Sequence, residues 1–372
     1  MTAQRAIPCL FMRGGTSRGP FFHRADLPAD PATRDRVLLA VMGSPDKRQI
    51  DGLGGAHPLT SKVGIVSRGT APVDLDFLFA QLQPETDTVD VTANCGNMLA
   101  AVVPFALEIG LVAPRGEAST FRVRTVNTDM VCDITVQTPD GRVRYDGSAR
   151  IDGVPGTASP IAINFLDTAG SVCAGLLPTG RAHDEVEVTG VGRLRVTCID
   201  NGMPMVVMRA GDLGRTGRET VAELNADTEL KARLEALRLA CGARMGLGDV
   251  AAKSYPKMCL IAAPQAGGAI ATRCFIPHVC HDAIGVLAAV TVATACVLDG
   301  SVADGLAAIA PGAVKAVSVE HPTGEFTVEL ELGAGDPPTV TRAALLRTAR
   351  LVMRGDVLIP DQVWPASERA HP

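Results

Sequence analysis

The sequence predicts an α+β protein made of two similar halves, and three observations support this. The chain has 372 residues, which exceeds the usual size of one core and favours two domains. Strand-like stretches are interspersed with helical ones along the whole chain. The pattern of the first half also recurs in the second, in the same order and at similar spacing, which indicates an internal duplication. We place the halves at residues 1–180 and 181–372.

The first half begins with two short strands and continues with a helix. Apolar runs over residues 7–12 and 20–22 predict the strands, and helical periodicity covers 27–42. Strand patterns follow at 63–66 and 73–83, and an apolar helical run begins at Met98 and ends near Gly110. Three strand-like stretches between 121 and 154 close this half, and residues 157–180 are predicted to form a link.

The second half repeats these elements. Its strand-like run 205–209 corresponds to 10–13, and its helical stretch 221–239 corresponds to 27–42. Residues 256–261 correspond to 61–66, which aligns Lys257 with Lys62. The segment 281–285 and the apolar run 286–298 correspond to 94–97 and its helix. Two such domains would place two helix N-termini on either side of one cleft, which favours a polycarboxylate ligand.

Composition and charge exclude several functional classes. The chain is 47% apolar but only 3% aromatic, so its core is predicted to consist of small aliphatic residues. A net charge of −5 with dispersed signs provides no basic stripe for nucleic acid and no polybasic tail for a membrane. Without a signal-peptide pattern or a membrane-spanning run, we expect a cytoplasmic protein. The ten cysteines lack a C-x-x-C pair and are predicted to be mostly reduced core residues.

The segment Asn94-Cys95-Gly96-Asn97 is the first candidate site. It precedes the apolar helical run, so a thiol and free N–H groups would lie at a helix N-terminus, where the helix dipole favours anions. Such a position lowers the pKa of a cysteine thiol below its free value of about 8.5. The alternative is that Asn94 is an ordinary N-cap and Cys95 a small buried residue.

The second candidate is the glycine-rich turn between the first two strands. Backbone N–H groups in such a turn can approach a carboxylate or phosphate closely, and arginines flank it in Arg13-Gly14-Gly15-Thr16-Ser17-Arg18. The turn lacks the lysine ending of a P-loop and the spacing of a dinucleotide-binding motif. The alternative is an ordinary hairpin turn.

Lys62 lies where a flexible loop meets a strand that is predicted to be buried. Its amine either extends to solvent there or, being desolvated, acts as a base. His57 in the same loop has no second ligand at the spacing of a metal site. His278 and His281 would suit a metal hydrolase by residue type, but no third ligand is visible in the sequence, so we expect no metal.

Several of these motifs resemble those of a known family. The segment 94–97 with its apolar helix, the duplicated halves and the lack of a cofactor motif resemble the diaminopimelate epimerase-like fold. More narrowly, the chain resembles the PrpF family of cofactor-independent isomerases over about residues 7–359. The motifs that carry this resemblance are Met12-Arg13-Gly14-Gly15-Thr16-Ser17, residues 49–52 and 60–63, Asp200-Asn201-Gly202-Met203-Pro204, Gly248-Asp249-Val250 and Pro277-His278.

The resemblance implies two pseudo-symmetric domains, each a mixed curved sheet wrapped around a central apolar helix, with the active site in the cleft between them. It implies that Lys62 and Cys95 handle the protons and that no cofactor takes part. Together with the patterns above, it gives the candidate substrate-binding residues Arg13, Gly14, Gly15, Thr16, Ser17, Ser61, Asn94, Gly96, Asn97, Lys257, His278 and His281.

The implied reaction moves a double bond in an unsaturated oxo-tricarboxylate by proton transfer between two carbon atoms. The resemblance points to 4-oxalomesaconate, from gallate and protocatechuate breakdown. The alternatives are an aconitate-type tricarboxylate such as 2-methylaconitate and, more remotely, a non-catalytic polycarboxylate-binding protein. The expected partner is thus a small molecule, with no nucleic acid and no membrane, while the oligomeric state, including a homo-oligomer, stays open.

Two departures from the family pattern matter. Family members commonly have Lys where Arg18 stands, which keeps the charge but alters its shape and reach. A two-thiol epimerase would also need a cysteine at the second helix, where His281 and Asp282 stand and Cys280 lies beside them. We therefore expect an asymmetric pair of one lysine and one cysteine.

Overall fold

A computed structural model describes residues 4–92, 94–166, 168–188, 192–333 and 340–365. The chain divides into two compact units, one formed by Met1–Ile163 with Arg347–Pro372 and the other by Asn164–Leu346. The first unit thus includes the C-terminal segment, whereas the halves expected at 1–180 and 181–372 assign that segment to the second. None of the described helices has the length and apolar character needed to cross a membrane.

Strands dominate both units. The elements up to residue 163 are β1 (Gln4–Gly14), β2 (Ser17–His23), α1 (Pro31–Met42), β3 (Lys62–Arg68), β4 (Leu75–Leu82), β5 (Val89–Asp90), α2 (Gly96–Leu99), α3 (Val102–Glu108), β6 (Ala118–Thr125), β7 (Met130–Gln137) and the start of β8 (Ile161–Phe165). The remaining elements are β9 (Asp184–Val188), β10 (Gly192–Asp200), β11 (Pro204–Arg209), α4 (Val221–Ala226), α5 (Thr228–Arg244), β12 (Lys257–Ala262), β13 (Ile270–Phe275), α6 (Val286–Val297), β14 (Val314–His321), β15 (Gly324–Leu332), β16 (Val340–Arg347) and β17 (Ala349–Pro360).

The first unit is a mixed sheet in the order β17-β1-β2-β3-β4-β6-β7. Helices α2 and α3 pack against β1, β2, β3 and β7. Helix α1 packs on the opposite face, because Phe21 contacts Phe105 of α3 at a ring distance of 5.8 Å, whereas the next residue, Phe22, joins the α1 core with Val37 and Leu38. The apolar helical segment is therefore enclosed by one face of the sheet.

The second unit has a corresponding mixed sheet, in the order β9-β10-β11-β12-β13-β14-β15-β16. Its apolar helix α6 is buried from Ala288 to Cys296 and packs against β10, β11, β14 and β15. Helix α5 packs against β9 and β12. This face contributes a core built largely of Val, Leu, Met and Cys side chains.

The two units share one order of strand directions. Across β1-β2-β3-β4-β6-β7, and again across β10-β11-β12-β13-β14-β15, successive pairs are antiparallel, parallel, antiparallel, parallel and antiparallel. Lys62 and Lys257 are the first residues of the equivalent strands β3 and β12. The predicted fold class, an α+β protein with two similar units that each wrap a mixed sheet around an apolar helix, is confirmed.

Four expected elements differ in detail, one of them the predicted link 157–180, which contains strand β8. The apolar run after Cys95 forms two short helices because Pro104 has no N–H to bond to Ala100 and its ring would clash there in a continuous helix. The helical stretch 221–239 is divided at Asp227, whose carboxylate accepts a hydrogen bond from the N–H of Leu230 and begins α5. The last strand-like stretch before residue 154 makes only an isolated bridge between Ala149 and Ala158.

Candidate active site

Lys62 is buried, with 8% of its surface exposed, so it does not extend to solvent. Its Nζ donates a hydrogen bond to Gln81 Oε1 at 2.6 Å and lies 4.9 Å from the centre of the Phe79 ring. No carboxylate pairs with it among the residues that the structure describes. The amine is therefore held by a neutral acceptor and not by an ion pair.

Gln81 fixes the direction of that amine. It stands directly opposite Lys62 in the β3–β4 pair. Its Nε2 lies 3.1 Å from Pro58 O, 3.2 Å from Ser61 O and 2.9 Å from Leu82 O, so the side-chain oxygen is turned toward Nζ. Gln81 has no local sequence signal, because only the pairing register of β3 and β4 reveals its position.

Ser61 belongs to the loop in front of β3. It is fully buried, and its hydroxyl lies 2.8 Å from Gln49 Oε1 and 2.9 Å from His57 O. Gln49 Oε1 also accepts a hydrogen bond from the N–H of Ala56 at 2.9 Å. Ser61 and His57 thus shape the loop that leads to Lys62, and the hydroxyl of Ser61 is engaged within it.

Cys95 is the N-cap of α2 and is partly exposed, as the first candidate site predicts. The N–H of Leu99 donates a hydrogen bond to Cys95 O at 2.9 Å and closes the first turn of the helix. The N–H groups of Gly96 and Asn97 lie within that turn, where helical N–H groups have no partner inside the helix. The side chain of Asn94 donates to Thr128 Oγ1. Thr128 belongs to the turn between β6 and β7, which the sequence indicates only as a turn.

The glycine-rich turn lies against this same segment. A Cβ on Gly14 would stand 2.3 Å from Asn97 O, and one on Gly15 would stand 2.1 Å from Asn97 Oδ1. Asn97 Nδ2 in turn donates to Thr16 Oγ1 at 3.0 Å. The close approach requires glycine at both positions. The structure therefore brings together the two candidate sites that the sequence gives separately.

The turn, Lys62 and Cys95 are connected through one face of β1 and β2, which we call the helix face because α2 packs on it. Gly14 faces α2 on this side, and Ser17, directly opposite Gly14, shares the face. Gly19 follows two residues later, and a Cβ there would stand 1.8 Å from Lys62 O. Lys62 and the Cys95 segment therefore adjoin the same stretch of β2.

Three polar atoms around this stretch are buried without a hydrogen-bond partner in the described residues: Ser17 Oγ, Asn94 Oδ1 and Asn97 Oδ1. Ser17 is only 1% exposed. Buried polar groups are almost always paired, so a cluster of unpaired ones is characteristic of a ligand site. With the thiol and the amine beside them, they form a polar site within the first unit.

Arg13 does not point to this site. Its Nη1 donates to Gly15 O at 2.8 Å and Thr348 O at 3.1 Å, and lies 3.0 Å from Thr348 Oγ1. Since successive strand residues point to opposite faces, Arg13 lies on the other side of β1 from Gly14. In the structure it ties the turn to the segment before β17.

In the second unit, Lys257 occupies the position equivalent to Lys62. It is half-buried, and burial lowers the pKa of its amine. Its Nζ lies 3.7 Å from where a Cβ on Gly285 would stand, and Gly285 is the N-cap of α6. An amine and a helix N-terminus therefore adjoin one another here, as the duplication predicts.

His278 and His281 are exposed, and a ring nitrogen of each is engaged, in His278 by helix α5 and in His281 by its own loop. His278 Nε2 lies 2.8 Å from Glu235 Oε2, and His281 Nδ1 accepts a hydrogen bond from the N–H of Ala283 at 2.8 Å. No group of three or more His, Cys, Asp or Glu side chains suited to a metal ion occurs in the described part of the chain. Cys280 is buried, and burial raises the pKa of its thiol to about 11.

Comparison with known proteins identifies relatives along the whole chain. A family model described as PrpF protein matches residues 4–360. The chain is 53% identical over 367 residues to the 4-oxalomesaconate tautomerase of Pseudomonas putida, which covers 98% of this chain and 99% of that protein. It is 55% identical over 355 residues to the (4E)-oxalomesaconate Delta-isomerase of a Novosphingobium species, covering 95% and 98%.

A solved structure gives the same result. The crystal structure of a methylitaconate-delta-isomerase matches with a TM-score of 0.83 at 33% identity, and 99% of each chain is covered. All three of these relatives have names that describe isomerisation of a small unsaturated acid or its oxo derivative. The chain belongs to the PrpF family.

Proposed function

We propose that this protein is a cofactor-independent isomerase that tautomerises 4-oxalomesaconate, with Lys62 and Cys95 as the proton-transferring groups. The observation that carries this proposal is the unpaired, buried polar cluster of Ser17, Asn94 and Asn97, which lies with both groups along one stretch of β2. The names of the relatives that are 53% and 55% identical support the choice of substrate.

The chemistry requires a base, an acid and stabilisation of negative charge. A base removes a proton from a carbon atom whose C–H bond is activated by a conjugated carbonyl, and the electrons delocalise into a dienolate. A proton returned to a different carbon leaves the double bond in a new position, so no atom is gained or lost. One of Lys62 and Cys95 takes the proton, and the other delivers one.

The surrounding groups bind and polarise the substrate. The N–H groups of Gly96 and Asn97 at the first turn of α2 are donors for a carboxylate, and the Gly14–Gly15 turn packs directly against this segment. The hydroxyl of Ser17 can donate to the enolate oxygen, and such donors aimed at developing charge often contribute the largest part of catalysis. The acceptor oxygens of Asn94 and Asn97 suit a substrate O–H group.

Single replacements test the two assignments. We expect Lys62→Met and Cys95→Ser each to lower kcat by at least a hundredfold, measured by the change in ultraviolet absorbance of 4-oxalomesaconate. Lys47→Met, on an exposed loop, and Cys9→Ser, on β1, are the controls and should retain most activity. Full activity of Lys62→Met would refute its role.

Deuterium incorporation distinguishes the base from the acid. In D₂O, the variant that lacks the base should not exchange the substrate C–H, whereas the variant that lacks the acid should still exchange it without completing the reaction. Exchange at the wild-type rate in both variants would contradict the proposed pair.

An aconitate-type tricarboxylate remains the second candidate substrate, since the same groups would perform its isomerisation. The ratio of kcat/KM for 4-oxalomesaconate to that for 2-methylaconitate decides between them. We expect a ratio above one hundred, and a ratio below one would reverse the assignment.

A further inference from the structure

Three arginines form a row across neighbouring strands of the first unit. Arg350 of β17 stands directly opposite Arg13 of β1, and Arg13 stands directly opposite Arg18 of β2. Directly opposed residues of antiparallel strands share a face, with Cβ atoms about 4.5–5.5 Å apart, and like charges in that position destabilise a sheet. We call Arg13, Arg18 and Arg350 the arginine row.

The arginine row has no anionic partner among the residues that the structure describes. Arg13 is fixed by neutral acceptors, namely Gly15 O, Thr348 O and Thr348 Oγ1. Burial, and after it the positive charge of Arg350, lower the pKa of the Arg13 guanidinium. The positive charge of the row is thus held in place without a counter-charge.

The arginine row lines a cavity of about 480 Å³. Small-molecule sites usually have volumes of roughly 300–1,000 Å³. Residues of the segment 145–158 complete the lining, including Ile151, Val154 and Thr157. Asp146 also lines the cavity and is exposed. The cavity therefore combines three guanidinium groups with apolar and hydroxyl-bearing side chains.

This cavity is separate from the Lys62 and Cys95 site. Gly14, Ser17 and Gly19 lie on the helix face, whereas Arg13 and Arg18 are their immediate neighbours and point to the opposite face. A molecule bound by the arginine row would therefore contact neither proton-transferring group.

We propose that the arginine row is a second anion site, which binds a compact polyanion such as a di- or tricarboxylate. A guanidinium binds a carboxylate or phosphate through two parallel hydrogen bonds, so one ligand with several oxyanion groups can satisfy more than one arginine. Arg18, whose guanidinium lies 5.9 Å from the centre of the Phe11 ring, and Arg350 are both exposed, while Arg13 is already oriented. The inference depends on the charges of this sheet and not on the proposed reaction.

Calorimetric titration of the full chain at low ionic strength tests the proposal. The two probes are tricarballylate, a saturated tricarboxylate with no double bond to move, and inorganic phosphate. We expect Arg350→Gln to bind one molecule fewer per chain than the wild type, or to bind it at least tenfold more weakly. Arg350→Lys should retain part of the affinity. Arg193→Gln, which removes an exposed arginine in the other unit, is the control and should leave binding unchanged.

The number of sites separates this proposal from the proposed function. If both hold, tricarballylate binds twice to the wild type and once to Arg350→Gln. If only the arginine row binds, the counts are one and none. Tighter binding of phosphate than of tricarballylate would assign the site to phosphate-bearing ligands. Equal counts and affinities in the wild type and Arg350→Gln would overturn the proposal for both kinds of anion.

A second variant guards against misfolding. Thr157 is exposed on the cavity lining, and Thr157→Glu would supply a carboxylate close to the arginine row. We expect Thr157→Glu to lose anion binding at the arginine row. Without ligand, it should unfold at a higher temperature than the wild type, because the added carboxylate reduces the repulsion among the three arginines. Binding that survives in both Thr157→Glu and Arg350→Gln would contradict the inference.

Discussion

Gln81 illustrates how one side chain can fix the direction of another, here the amine of Lys62 that we propose transfers a proton. Its amide is fixed by three backbone oxygens, and its own oxygen orients the amine of Lys62. A misplaced base reduces the chemical step far more than binding, because small errors in orientation are costly in the transition state.

We therefore expect Gln81→Met to lower kcat about 10- to 100-fold with little change in KM. Gln83→Met, an exposed neighbour on the same segment, should behave as the wild type. Gln81→Glu keeps the acceptor but adds a negative charge, which favours the protonated amine. If Lys62 is the base, the activity of Gln81→Glu should begin at higher pH, and an unchanged pH profile would contradict that role.

At the residue scale, the candidate residues could be predicted from the sequence, but the contacts that hold them could not. The lysine at a loop–strand junction, the cysteine before an apolar helix and the glycine-rich turn all have local sequence signals. Gln81 and the contact of Asn97 with Thr16 depend on register and on close approach between distant segments, which no local pattern specifies. Arg13 has a strong local signal for an anion site, yet the alternation of β1 turns it away from the helix face.

At the element scale, the turn between β1 and β2 is held against α2 by the absence of side chains. Gly14→Ala would place a Cβ 2.3 Å from Asn97 O, a contact that forces the turn or the helix to move. We expect at least a tenfold loss of kcat/KM. Gly355→Ala on the paired strand β17 meets nothing within 4 Å and should keep its activity. Wild-type kinetics in Gly14→Ala would show that the contact does not shape the site.

Helix α5 supplies a second testable element. Arg238 is fully buried and donates to both carboxylate oxygens of Glu235, and also to Val250 O and Tyr255 O in the segment before Lys257. The guanidinium of Arg238 holds the pKa of the Glu235 carboxyl below its usual value. Because this pKa is lower in the folded state than in the unfolded one, the stabilisation is present above the unfolded pKa and is lost as pH falls through the folded one.

Glu235→Gln should accordingly reduce the free energy of unfolding by about 1–2 kcal/mol at pH 7, since hydrogen bonds to charged groups contribute about 1.5–3 kcal/mol and this carboxylate is partly exposed. Urea denaturation of the variant and the wild type should converge as pH falls through the lowered folded-state pKa of Glu235, where the carboxyl becomes protonated. Glu229 on the same helix lies 3.9 Å from its partner Arg233. Exposed ion pairs of this kind contribute roughly 0–1 kcal/mol, so Glu229→Gln should change the free energy of unfolding by less than about 0.5 kcal/mol. A difference that persists at low pH would rule out the charge as its cause.

The elements show where local patterns are sufficient. The duplicated order and eight strands, namely β1–β4, β6, β7, β11 and β12, follow from apolar runs and turn residues, and the structure confirms them. The predictions of one continuous helix after Cys95 and of one over 221–239 were wrong, because a proline in the first and a capping aspartate in the second interrupt the helix. Both residues are visible in the sequence, but apolar periodicity alone does not take them into account.

At the scale of the whole molecule, the distribution of cysteines makes one thiol different from the rest. Eight cysteines are buried, and only Cys95 and Cys173 are partly exposed in the described residues. Burial, followed by the charge of Asp200, raises the pKa of Cys173 to about 12. Thiolates rather than thiols are alkylated, so Cys173 should be slow to react.

We expect iodoacetamide at pH 7.5 to modify one thiol per folded chain rapidly, and mass spectrometry to locate the label at Cys95. Cys95→Ser should abolish the rapid phase of labelling, whereas Cys173→Ser should not. Tricarballylate should slow the labelling of Cys95 by binding at the site of the proposed reaction. Rapid labelling of Cys95 without any protection by a polycarboxylate would favour a reactive surface thiol over a substrate-binding one.

The C-terminal strand β17 pairs with β1 along its whole length, from Gln4 opposite Pro360 to Gly14 opposite Ala349. During synthesis, the N-terminal strand therefore leaves the ribosome more than 300 residues before its partner exists. Until then β1 has an unpaired edge, which is the part of a sheet most prone to join another chain. Completion of the first unit must wait for the last strand to be made, although most of its sequence is made first. A chain that ends at Leu346 and has left the ribosome should consequently hold a second unit with its strands β9–β16 available and a first unit that still lacks one side of its sheet.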